Sequence, residues 1–97
     1  MREGAMMNEI QYPVQGTRIW PAPPYHYHPG DYGKDPRNGH WMALTPNGML
    51  ADLSGHEVTE HGDGTITVSP SIRVTQPHGY ELKVWHGFLE KGLWRLA

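Results

Sequence analysis

The chain has 97 residues, of which 17 are Leu, Ile, Val or Phe, 12 are Gly and 9 are Pro, so it holds one small domain of turns and short elements and no long helices. A formal charge of −2 argues against nucleic-acid binding through bulk charge, and the absence of Cys removes disulfide frameworks, thiolate zinc fingers and Cys nucleophiles. No apolar run reaches the roughly eighteen residues of a membrane span, and none near the start resembles a signal-peptide core, so a soluble, cytoplasmic chain is the expectation.

The first stretch, residues 1–11, reads as a tail, with Met1 to Met7 resembling a cloning scar. Residues 12–39 hold Pro13, Pro21, Pro23, Pro24, Pro29 and Pro36 with Tyr25, Tyr27 and Tyr32 among them, which predicts an extended, polyproline-like arm. The β domain is expected over residues 40–97, because 12 of the 17 Leu, Ile, Val and Phe residues lie at or beyond Leu53. His40 to Thr45 alternates as a strand, and Pro46-Asn47-Gly48 marks a turn. Met49 to Leu53 fits either a short strand or a single helical turn. His56 to Glu60, the His61-Gly62-Asp63-Gly64 turn and Thr65 to Ser69 predict a hairpin, with Ile66 and Val68 facing inward.

Pro70 cannot donate to a strand ladder, so Ser69-Pro70-Ser71 predicts a kink or bulge before Ile72 and Val74 resume the pattern. Gln76-Pro77-His78-Gly79 reads as the next turn. Tyr80, Leu82, Val84, His86 and Phe88 then share one face of a long strand at period two, and this apolar face is expected to be the inner one. A helix over 80–91 is the weaker alternative, since Gly79 and Gly87 oppose it. Glu90-Lys91-Gly92 predicts a three-residue hairpin loop, followed by a last strand over Leu93 to Ala97. The whole gives an all-β fold: a small antiparallel sheet of five or six strands, curled into a sandwich or partial roll.

Candidate functional residues fall into two groups. Trp85, opposite the apolar face, together with Trp94 either caps the second face of the sheet or forms an exposed aromatic anchor; Trp85, Trp94, Trp41, Tyr25 and Tyr27 are the candidate anchors for a protein partner. Seven His residues raise the question of metal, above all zinc. His26 and His28 point to the same side of an extended chain and can chelate one ion, with His86, or else His40, His56, His61 or His78, as a further ligand and Glu57, Glu60 or Asp63 as a carboxylate partner. The stretch Gly55 to Gly64 places His56 and His61 beside Glu57, Glu60 and Asp63, but no nucleophile motif accompanies it, and an exposed hairpin explains it better. No Gly-rich phosphate loop occurs.

The run Asp63 to Ile72, ending in Pro70-Ser71-Ile72, together with His40-Trp41 and His86 to Gly92, resembles an uncharacterised family of small phage and prophage proteins over about residues 38–97. The resemblance implies a compact β domain made in a bacterial host, resident in its cytoplasm or in the virion, and it implies no reaction. Many members carry cysteines near the His-Trp and later His positions, suggestive of a small zinc site; those cysteines are missing here. The leading expectation is therefore a non-enzymatic module that binds a host defence component or a virion neighbour, with no cofactor. The alternative is a histidine-liganded metal-binding protein of hydrolase type. The aromatic arm is expected to pack on a sheet, in its own subunit or by exchange within a homodimer.

Overall fold

The computed structural model describes residues 9–19 and 27–97. Nine strands appear among them and no helix: β1 (Val14–Gln15), β2 (Thr17–Arg18), β3 (Asp31–Lys34), β4 (Trp41–Leu44), β5 (Leu50–Asp52), β6 (Glu57–Glu60), β7 (Ile66–His78), β8 (Glu81–Glu90) and β9 (Leu93–Leu96). They form a five-stranded sheet in the order β1-β9-β8-β7-β6 and a four-stranded sheet in the order β2-β3-β4-β5. Every pairing is antiparallel except β2 with β3. No helix among the described residues is long and apolar enough to cross a membrane.

The two sheets face each other as a small sandwich. Tyr32, Ala43 and Ala51, with Met49 and Leu53 beside them, form the inner layer of the smaller sheet. Ile66, Val68, Ile72, Trp85, Leu89 and Trp94 form that of the larger. Alternation along β7 survives the interruption at Pro70 for a geometric reason. Val68 opposes Leu89 and Ile72 opposes Gly87, so four steps on β7 match two on β8. The insertion is of even length, and an even slip leaves each side chain on its original face. The Ser69–Pro70 peptide within this bulge is cis.

The arm does not stand apart from the domain. β3, before residue 40, pairs with β4, beyond it, so the expected boundary falls inside one sheet. β1 adds to the edge of the large sheet at β9, and β2 adds to the small sheet at β3. Between them Gly16 carries the chain from one sheet to the other. Its N–H donates to the Gly92 carbonyl at 2.8 Å, and a Cβ there would lie 2.9 Å from the Gly30 and Gly92 carbonyl oxygens and from Trp94 Nε1. Only a residue without a side chain lets the layers approach so closely. Of the arm's aromatics, Trp20 and Tyr25 lie outside the described residues.

Several local expectations change. Of the two readings of Met49 to Leu53 the short strand is the one observed, as β5 (Leu50–Asp52). The turn expected at 76–79 is a two-residue turn at Gly79-Tyr80, because β7 continues through Pro77 to the pair His78–Glu81. Pro77 is tolerated because it opposes Leu82 at a position whose ring nitrogen faces the unpaired side of β7. The last hairpin also closes on two residues, Lys91 (φ 49°) and Gly92 (φ 78°), between the paired Glu90 and Leu93. Two successive positive φ values match the right-handed twist of the flanking strands.

Candidate partner-binding ribbon

The face of β8 is the largest departure from the sequence expectation. Leu82, Val84, His86 and Phe88 do share a face, but it is the outer one; Trp85, Gly87 and Leu89 are buried. Volume decides the matter. The Trp85 ring lies over Gly87 and meets Trp94 edge-on, with centroids 5.3 Å apart and planes at 85°. Trp85 is 3% exposed and Trp94 0%, so neither is an anchor for a partner. Their indole N–H groups hold the arm instead: Trp85 donates to the Tyr12 hydroxyl and Trp94 to the Gly30 carbonyl, each at 2.9 Å.

The β7–β8 hairpin outruns its neighbours. β6 covers β7 only from Ile66 to Ser69, and β9 pairs with β8 only from Gly87 to Glu90. The Ala97 N–H adds one bond to the His86 carbonyl. From there to the tip the described chain is a two-stranded ribbon. β7 has 13 residues, which at about 3.3 Å each matches the 42 Å long axis of the molecule. Leu82 is 69% exposed and Val84 42%, with Thr75 and Pro77 opposite them on β7. Nearer the base of the outer face, the Arg95 guanidinium lies 5.8 Å from the Phe88 ring centre and pairs with Glu90. A shallow hollow lined by Thr67, Lys91 and Leu93 adjoins them.

The other candidates are placed as follows. Trp41 is half-buried, with the Arg18 guanidinium 4.8 Å and the Lys34 ammonium 5.8 Å from its ring centre. It borders a polar groove of about 360 Å³ with His40, Ser54 and His56. Tyr27 is also half-buried, and burial, then the Asp35 carboxylate, raises its phenol pKa. Tyr25 and His26 lie outside the described residues. His28 is exposed, its Nδ1 3.7 Å from Asp31 Oδ2, and His86 Nε2 is hydrogen-bonded to Ser71 Oγ at 3.0 Å. His86 faces outward, not into the core. Among the described residues no group of three or more His, Cys, Asp or Glu side chains could hold a metal ion.

The polar stretch around His56 to Gly64 is occupied by structural bonds. Glu60 pairs with Arg18 at 3.0 Å, His61 Nε2 meets Thr67 Oγ1 at 2.7 Å, and His56 Nε2–H donates to the Ser71 carbonyl at 3.2 Å. Asp63 accepts from the Thr65 N–H and hydroxyl, and these bonds hold its carboxyl below the ordinary range. His40 Nδ1 stands 3.3 Å from Asp52 Oδ2, but Asp52 is engaged by Ser54, whose backbone N–H chiefly lowers the carboxyl's pKa. These contacts order turns. The exposed outer ribbon face is the structural feature that sequence reasoning missed. Its signal is the period-two row from Leu82 to Phe88, which separates the two faces of the strand without saying which is inner.

No protein-family model, curated protein or solved structure matches the chain.

Proposed function

We propose that the chain is a non-enzymatic binding module, of phage or prophage origin, that docks a protein partner through the outer face of the β7–β8 ribbon. One observation carries the reading: Leu82 and Val84 are exposed in a row on a ribbon that projects past both neighbouring strands. A two-stranded hairpin is marginal in water, and apolar side chains on its tip add nothing to the core. Against a partner, the same side chains leave water and stabilise the complex. The origin rests on the resemblance at Pro70-Ser71-Ile72, which makes a host defence component or a virion neighbour the partner, met in the bacterial cytoplasm or in the particle.

A photo-crosslinking residue at Val84, in the bacterium that makes the protein, tests the proposal. The expected result is one dominant adduct with another protein, identified by mass spectrometry and lost in the Leu82→Glu variant while the melting temperature is kept. No adduct, or one indifferent to Leu82→Glu, would exclude this face.

A further inference from the structure

The ribbon offers an edge as well as a face. On β8 the His86 carbonyl points toward β9, where it accepts from the Ala97 N–H at 3.2 Å. Alternate residues of a strand aim their backbone groups to the same edge, so Leu82 and Val84 present N–H and C=O groups on that side. Among the described residues no strand pairs with it between Glu81 and Trp85. Such an edge is a template for one more strand.

We infer that a second copy of the chain supplies that strand, β8 pairing antiparallel with β8 about a two-fold axis at Leu82. The inference builds on the ribbon as the binding element and names what occupies its edge. Cross-strand chemistry selects this register. With Leu82 opposite Leu82 of the second copy, Glu81 faces Lys83 of the second copy, and symmetry repeats the pair. Tyr80 then lies beside Val84 of the second copy. Centring the pairing on Lys83 would oppose two ammonium groups. Centring it on Val84 would set Leu82 against His86. The Lys83 ammonium reaches the Asn47 carbonyl at 3.3 Å and retains two more donors for Glu81 of the second copy. Length also fits, because the tip of the second copy ends beside Val84, next to His86 where Ala97 closes the edge. The two Leu82 side chains meet, so the outer apolar rows join into one surface across the axis.

Charge reversal on the full chain tests the pairing. Sedimentation of the native protein should show a concentration-dependent shift from 11.0 kDa toward twice that mass. Glu81→Lys or Lys83→Glu alone should weaken association by about tenfold, since each sets like charges opposite at two symmetric sites. The double variant, with the charges exchanged, should restore it, which damage to the fold would not do. Slowed amide exchange at Leu82 and Val84 on raising the concentration should accompany the dimer. A native protein that stays monomeric, or a dimer indifferent to the single reversals, would overturn the inference. The two readings fail separately: monomeric native protein removes the edge pairing whatever Val84 captures, whereas a dimer from which Val84 captures no other protein removes only the face.

Discussion

Asp35 is the most strongly perturbed acid among the described residues. Its carboxylate accepts from Arg37 Nε at 3.1 Å and Nη2 at 2.8 Å, and from the Arg37 backbone N–H at 2.9 Å. The side-chain bonds, then the backbone bond, lower its pKa from 3.8 to about 2. The folded state therefore holds this proton less tightly than the unfolded chain. The stabilisation is fully present above 3.8 and is lost as pH falls toward 2. Asp35→Asn should lower the melting temperature at neutral pH, with the gap to the native protein closing between about pH 4 and 2; thermal melts across that range check it. Gly87 makes a different demand. A Cβ there would run into the Arg95 carbonyl oxygen of β9 and come within 2.5 Å of Trp85 Cη2. Neither neighbour is a flexible side-chain end, so Gly87→Ala should cost about 2 kcal/mol in urea unfolding, as overpacking of a filled core does.

At the scale of the element, the β7–β8 hairpin combines two roles in one pair of strands. Its base, Ile66 to Val68 and Gly87 to Glu90, is covered on both sides by β6 and β9 and carries the core residues Ile66, Val68 and Leu89. Among the described residues, each strand of its distal part pairs only with the other. The bulge at Ser69-Pro70-Ser71 sits at the junction, where the pairing with β6 ends at Ser69. Ser71 stays engaged there, its carbonyl accepting from His56 and its hydroxyl bonded to His86. The bulge thus marks the point where the strand leaves the sandwich without losing its inward register. Pro77 near the tip removes one donor from the outer edge of β7, while the outer edge of β8 keeps those of Leu82 and Val84. This asymmetry singles out β8 as the edge open to strand addition.

At the scale of the whole molecule, the arm closes the sandwich. β1 joins the large sheet through Val14 opposite Trp94, and β2 and β3 make up half of the small sheet. Tyr12 and Gly30 accept the two buried indole N–H groups. Deleting residues 1–39 removes all of these at once and leaves β4 and β5 as a lone hairpin. The truncated chain should show no cooperative thermal transition by calorimetry and should lose most of its β signal in far-UV circular dichroism. A fragment that melts like the full chain would mean the sandwich does not need the arm.

The sequence by itself determined the strand content of the second half and its punctuation. Alternation at Thr65 to Ser69, the Pro46-Asn47-Gly48 and His61 to Gly64 turns and the break at Pro70 are local signals, fixed by side-chain period and backbone chemistry. It did not determine which face of β8 points inward, because a period of two separates the faces without ranking them. That choice came from tertiary volume: Trp85 fills the space between Gly87 and Trp94, and four smaller or polar side chains are left outside. Nor were β1 and β2 legible, since two residues carry no alternation to detect. They are strands because Gly16 lets the chain cross between layers, and because Trp85 and Trp94, far along the sequence, need partners for their N–H groups.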